Sequence, residues 1–206
     1  EYAEDSYVFM ATSGGTVKKT PLNQFSRPRS SGIIAIDLRD DKLVDVAITD
    51  GLAEILLVAS SGKAIRFRES DVRPMGRGAA GVRGIKLAPG HEVIDLSIIG
   101  DGLVLTATEN GYGKRTAVED FPVQGRGGLG VIAIQTSERN GRTVGAAQVH
   151  DDDEIMLISS SGTLVRTAVA DISLQGRNTQ GVRLIRVGQD QRLVGLARIE
   201  SIEEED

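Results

Sequence analysis

A chain of 206 residues can bury one large core or a series of small ones. It has no cysteine, which rules out a disulfide framework and fits a reducing compartment, and its 3% aromatic content is too low for the base-stacking platforms of a single-strand binder. The formal charge of −5 comes from the ends: without Glu1, Glu4, Asp5, Glu200, Glu203, Glu204, Glu205 and Asp206, the body holds 21 acidic against 24 basic side chains.

The opening EYAEDSYVF has neither a basic nor an apolar leader segment, and it does not begin with Met, so a piece of a longer chain is expected. No apolar run approaches the roughly 18 residues of a spanning helix, so no membrane partner is expected. From Tyr7 onward the chain repeats itself. YVFMATSGGTVKKT (from Tyr7), ILLVASSGKAIRFR (from Ile55), LVLTATENGYGKRT (from Leu103) and IMLISSSGTLVRTA (from Ile155) each predict a hairpin, turning at Gly15, Gly62, Gly111 and Gly162. Four residues on come Lys19, Arg66, Arg115 and Arg166, then the apolar plugs Phe25, Val72, Phe121 and Ile172. A third run follows (GIIAIDL from Gly32, GVRGIKL from Gly81, GVIAIQT from Gly130, GVRLIRV from Gly181), and then a fourth: KLVDVAIT, EVIDLSII, RTVGAAQV and RLVGLARI. Four β-rich runs at this period predict an all-β, propeller-like array of four-stranded blades, with repeats near 7–54, 55–102, 103–154 and 155–199 and an acidic tail at 200–206.

Between plug and third run lies a glycine-rich loop. It carries Arg77 in the second repeat, Arg126 in the third (Gln124, Gly125, Arg126, Gly127, Gly128, Leu129, Gly130) and Arg177 in the fourth. In the first repeat Arg27 and Arg29 flank Pro28. A nucleotide cradle would occur once, before a helix, with a GK[ST] signature; this loop recurs between strands, and Lys63 is followed by Ala64. Each arginine alone reads as a solvated turn residue. Repeated at equivalent places they read as rows of cations on flexible backbone, suited to phosphates, with a basic protein-binding face as the alternative. The candidate contacts are Lys18, Lys19, Arg27, Arg29, Arg66, Arg68, Arg77, Arg83, Lys114, Arg115, Arg126, Arg166, Arg177 and Arg183. Alternation along a strand puts Arg66 and Arg68 on one face and Lys18 and Lys19 on opposite ones. HDDDE (His150–Glu154) suggests a metal site, but Asp50-Gly51 and Asp101-Gly102 occupy equivalent turns, so acid there is generic and no metal is expected. No nucleophile–base pattern stands apart from the repeat, and no catalytic residue is expected.

In order and spacing, TVKKT, GVRGIKL, NGYGKRTAV, ERNGRTVGA and GRNTQGV closely resemble the C-terminal domains of bacterial DNA gyrase A subunits across nearly the whole chain. That resemblance implies a β-pinwheel whose blades exchange strands and whose basic rim wraps duplex DNA, making supercoiling by an ATP-dependent type II topoisomerase directional and negative. It implies the gyrase A core and the gyrase B protein as partners in a heterotetramer, a cytoplasmic, nucleoid-associated location, and ATP and Mg2+ used elsewhere in the enzyme, with no cofactor in this domain. The family's hallmark box, Q-[RK]-R-G-G-[RK]-G in a first blade, is matched by Gln124, Arg126, Gly127, Gly128 and Gly130, while Gly125 and Leu129 replace two bases. The stretch is a degenerate copy lying in the third repeat, which implies that one or two blades precede it. The family's catalytic tyrosine belongs to the core, so Tyr2, Tyr7 and Tyr112 do not take that role. The related C-terminal domain of topoisomerase IV, with weaker wrapping, and a protein-interaction propeller are the alternative readings.

Overall fold

The computed structural model describes residues 5–200; most of the acidic tail, from Ser201, lies outside them. Two compact units are distinguished. One gathers residues through Ala59, Ala64–Ile99 and Pro122–Gly130; the other gathers Ser60–Lys63, Gly100–Phe121 and the residues from Val131 on.

The first unit carries β1 (Tyr7–Thr12), β2 (Thr16–Pro21), β3 (Leu43–Thr49), β4 (Glu54–Ala59), β5 (Lys63–Arg68), β6 (Val82–Arg83) and β7 (Val93–Ile99). Its first sheet runs β3-β1-β2-β6, and β5, β4 and β7 are successive neighbours in the next. The second unit carries β8 (Leu103–Thr108), β9 (Tyr112–Ala117), β10 (Val131–Ile132), β11 (Thr143–Val149), β12 (Glu154–Ser159), β13 (Leu164–Ala168), β14 (Val182–Arg183) and β15 (Leu193–Ile199). Its sheets run β11-β8-β9-β14 and β13-β12-β15. The fold is all-β, as the repeat predicts, with one short 3-10 turn per repeat at the plug. All four hairpin glycines are left-handed, with φ between +80° and +86°. Val72, Phe121 and Ile172 are buried as plugs, whereas Phe25 is half-buried.

The third runs depart from the expectation of a full strand. Only two residues of a run enter a sheet, and that sheet belongs to the repeat before: β6 pairs with β2, as Thr16 with Arg83, and β14 pairs with β9, as Tyr112 with Arg183. The rest of each run cannot continue the ladder because its backbone donors are spent elsewhere. The N–H groups of Gly84 and Ile85 both point to the Gly15 carbonyl, and that of Lys86 to Gly128. In the first repeat the GIIAIDL run forms no strand at all. Strand exchange of this kind ties the first repeat to the second within one unit and the third to the fourth within the other.

Each unit has its own core. Phe9, Ile55, Leu57, Ile65, Phe67 and Ile85 pack in the first, and Leu105, Val149, Ile155, Leu157 and Leu193 in the second. Fully burying such a side chain contributes about 1.5–3 kcal/mol. Strands β1, β4 and β8 are buried at five successive positions, so their sequences read as continuous apolar runs and not as alternation.

One half-buried acid works against the first unit. Strands β3 and β7 lie side by side. Asp95 on β7 is pushed up to about 7, chiefly by burial and further by Asp45 on β3, although the Ser97 hydroxyl donates to it at 2.7 Å. The folded state therefore keeps a proton that the unfolded chain loses near pH 3.8. Stability falls as pH rises from there through about 7. The equivalent positions in the later repeats are Gly145 and Gly195. Asp95→Asn is expected to raise the urea midpoint above pH 7 and to leave it nearly unchanged at pH 3.5. Equal midpoints for the two proteins at high pH would refute this.

Candidate nucleic-acid interface

The glycine-rich loops are built the same way three times. Each lies along the second strand of the repeat before it: the N–H of Met75 donates to Lys19, that of Gln124 to Arg66 and that of Gln175 to Arg115, at 2.8–2.9 Å. The closing glycine then meets that strand's backbone. A Cβ on Gly130 would stand 2.3 Å from the Ala64 carbonyl oxygen, and one on Gly181 2.4 Å from that of Gly113, with φ at +70° in both. Only glycine fits at these two places, so Gly130 of QGRGGLG serves a close backbone approach, whereas Gly125 has nothing within 4 Å.

The arginine of each loop caps a carbonyl of the preceding repeat's third run. Arg77 Nη1 donates to Ile34 at 3.0 Å, Arg126 Nη1 to Arg83 at 3.1 Å and Arg177 Nη1 to Ile132 at 2.9 Å. Arg126 also donates through Nε to the Asp71 carbonyl at 2.9 Å. Neutral acceptors take one or two of the five guanidinium donors and leave the charge in place. Arg126 is exposed, while Arg77 and Arg177 are half-buried.

Lys18 and Lys114, two of the sequence candidates, are instead buried fasteners. Lys18 Nζ donates to the carbonyls of Ala35 and Arg77 at 2.7 and 2.5 Å. Lys114 Nζ donates to those of Gly176 and Arg177, both at 2.5 Å, and to the Thr179 hydroxyl at 2.9 Å. Burial, then the loop arginine beside each, lowers both ammonium groups, Lys114 to about 8. In the second repeat the same slot holds Ile65, which lies under Gly128 of the QGRGGLG loop.

The strand-end bases have protein partners. Lys19 is buried against Glu69 and sits over the Tyr7 ring at 4.8 Å. Arg66 pairs with Glu54, Arg166 with Glu154, and Arg115 with Asp151 while donating to the Ile172 carbonyl at 2.6 Å. By contrast Arg27, Arg29, Arg68 and Arg83 are exposed and make no ion pair among the described residues. Arg27, Arg29 and Arg77 line one open cavity of about 880 Å³. Gly125 and Leu129, where the hallmark box carries bases, are both exposed, so a base at either place would stand in solvent.

Sequence reasoning missed an arginine–tyrosine cluster in the second unit. The Arg183 guanidinium donates to the Tyr112 hydroxyl at 2.8 Å, and Arg139 stacks 4.3 Å from the ring centre. Arg139 comes from the turn between the third and fourth runs, where the other repeats carry Asp41, Gly90 and Asp190. Lys86 and Arg186 are also exposed, and their shared spacing from Arg83 and Arg183 could have found them. In HDDDE, Asp153 is buried on the Arg198 guanidinium at 2.6 Å and accepts the His150 N–H at 2.7 Å, which makes it a structural anchor for the turn.

The repeats match the model of the DNA gyrase C-terminal domain, beta-propeller, over residues 6–50, 53–99, 102–150 and 153–200. The DNA gyrase A protein of Salmonella typhimurium is 55% identical over 209 residues, covering 100% of this chain and 24% of that protein. The DNA gyrase A protein of Pseudomonas aeruginosa is 58% identical over 197 residues, covering 95% and 21%. The chain thus spans about a quarter of the length of these relatives. Among solved structures, the C-terminal domain of DNA topoisomerase IV superposes with a TM-score of 0.92 at 29% identity, covering 97% of this chain and 64% of that one. A DNA gyrase A C-terminal domain superposes with a TM-score of 0.86 at 27% identity, covering 97% and 68%. With four successive repeats matched and more than half of its residues shared with gyrase A proteins, the chain belongs to the DNA gyrase C-terminal domain family of β-propeller repeats.

Proposed function

We propose that this domain binds duplex DNA through its phosphates and bends it, as a non-catalytic part of an ATP-dependent DNA gyrase that introduces negative supercoils. On this reading it works in the bacterial cytoplasm beside the gyrase A core and the gyrase B protein. The supporting observation is the loop repeated three times, in which an arginine caps a backbone carbonyl and keeps its charge; in the first unit Arg27, Arg29, Arg68 and Arg83 are exposed as well. Such contacts neutralise phosphates without reading bases, so binding is sequence-tolerant. Smooth bending of a 20–30 bp duplex by 40–90° costs about 1–6 kcal/mol, which several phosphate contacts can offset.

The test is duplex binding across a salt series, with bending read by energy transfer between the duplex ends. Each neutralised phosphate contributes a slope of about −0.9 in log affinity against log salt. A steep slope with clear bending is expected; no binding at low salt would overturn the proposal. A second reading, the weaker-wrapping role of a topoisomerase IV C-terminal domain, draws on the close superposition with that domain and on the two bases missing from the box. Steep binding without bending would favour it.

A further inference from the structure

Three cations gather in the second unit outside any ion pair: Arg139, Arg183 and Arg186 are exposed, and none is paired with an acid among the described residues. Two of them are fixed on Tyr112. Arg183 Nη2 donates to its hydroxyl at 2.8 Å and lies 5.4 Å from the ring centre, and Arg139 stacks at 4.3 Å. Arg139 is tethered further. Its Nε donates to the Asn140 side-chain oxygen at 2.9 Å, and its Nη2 to the carbonyls of Gln180 and Gly181 at 3.2 Å. The Asn110 amide donates to the carbonyls of Glu138 and Arg139 and so fixes the turn that carries Arg139. Arg183 and Arg186 line one cavity of about 220 Å³.

The first unit offers a direct contrast. Arg83 holds the same strand position as Arg183, but it is paired with Thr16 where Arg183 is paired with Tyr112. The Arg83 guanidinium has no hydrogen bond or ion pair among the described residues. Arg139, in turn, stands where the other repeats carry Asp41, Gly90 and Asp190. The third repeat thus supplies a ring and a second cation that the others lack at these places. Ordering a long exposed side chain costs entropy, so a group ordered before its ligand arrives binds more tightly. Cations brought this close also repel one another, and an anion relieves that repulsion. The hydrogen bond from Arg183, then the charges of both arginines, hold the Tyr112 phenol below its ordinary range, as a positive field does. Arg183 uses one guanidinium donor on Tyr112 and keeps the rest for an acceptor.

We propose that Tyr112 is a positioning residue, which holds Arg183, with Arg139 on its ring, to grip one phosphate of a DNA duplex at the Arg183–Arg186 cavity. The inference rests on the reading of this domain as a duplex binder and names, within it, one contact that is built in advance. A phosphate there accepts from the remaining N–H groups of Arg183 and meets the charge of Arg186. A phosphate at Arg83 has first to order the side chain that binds it.

Duplex binding by the full chain across a salt series tests this, with folding checked by the urea midpoint. Tyr112→Phe keeps the ring under Arg139 and removes only the hydroxyl. It is expected to weaken binding about two- to tenfold, the worth of one hydrogen bond, and to leave the salt slope unchanged, because no charge is lost. Arg183→Gln is expected to weaken binding about tenfold or more and to reduce the slope by about 0.9. Arg83→Gln reduces the slope equally but weakens binding only about two- to fivefold, as an unheld surface charge does. Tyr112→Phe is expected to add nothing to Arg183→Gln and to keep its full effect on Arg83→Gln. A wild-type chain that binds no duplex would overturn the duplex reading and this inference with it. Wild-type binding with Tyr112→Phe at full affinity, or with an undiminished loss from Tyr112→Phe on the Arg183→Gln background, would overturn this inference alone.

Discussion

Lys114→Met is expected to destabilise the second unit and to release its glycine-rich loop at 175–181. The substitution keeps most of the buried volume and removes the ammonium that donates to the carbonyls of Gly176 and Arg177 together. The Thr179 hydroxyl still donates to Gly176 at 3.0 Å and the Thr179 N–H to Arg177 at 2.9 Å, so the loss is that of the ammonium's own charge-assisted hydrogen bonds, about 1.5–3 kcal/mol each. Hydrogen exchange is expected to rise across 175–181, where the Gln175 N–H rests on Arg115, and the urea midpoint is expected to fall. Ile65→Met is the control, since it alters the same slot where no cation serves; a volume-conserving swap of that kind costs under about 1.5 kcal/mol. The pH dependence gives a second readout. With Lys114 at about 8 in the fold against 10.5 in the free side chain, the unfolded state binds more protons between those values, so wild-type stability rises with pH there. The variant lacks this rise, and the gap between the two proteins widens from pH 8 to 10.5. A constant gap together with unchanged exchange would refute the role of Lys114 as a fastener.

The contrast between Lys114 and Arg68 shows how far the sequence could be read. Four repeats, their hairpin glycines and their plugs follow from spacing, because turns and buried positions restrict residue type. The all-β class follows from the same pattern. What spacing does not carry is where a chemically ordinary cation points. Lys18 and Lys114 look like surface lysines until the following repeat's loop closes over them, and that loop arrives from about 60 residues away. The ion pairs of Arg66 with Glu54 and Arg166 with Glu154 were within reach, since both pairs are 12 residues apart on neighbouring strands. The shortening of the third run was not, because it results from competition for backbone donors between a sheet and a neighbouring turn. Tyr112 meets Arg183 through strand exchange, a pairing of residues 71 apart that no local pattern reports.

Charge reversal of the exposed arginines is expected to separate DNA contact from folding. Arg29, Arg68 and Arg83 are exposed and make no ion pair among the described residues, so replacing all three with Glu should leave the urea midpoint almost unchanged, as surface substitutions do, within about 0.5 kcal/mol each. If each meets a phosphate, the salt slope of duplex binding loses about 0.9 per site, or about 2.7 in all. Reversing Arg77, Arg126 and Arg177 has a mixed outcome. The slope flattens as well, but each loop also loses the cap on the carbonyl of Ile34, Arg83 or Ile132, so the midpoint drops with it. Arg66→Gln with Arg166→Gln supplies the opposite case: their charges are already paired with Glu54 and Glu154, so the slope should stay close to wild type. A slope that falls for the paired set and holds for the exposed set would move the DNA path off these loops and onto the strand-end bases. The predicted order places it where a guanidinium charge is held in no ion pair among the described residues, because a phosphate gains least from a cation that a carboxylate already holds.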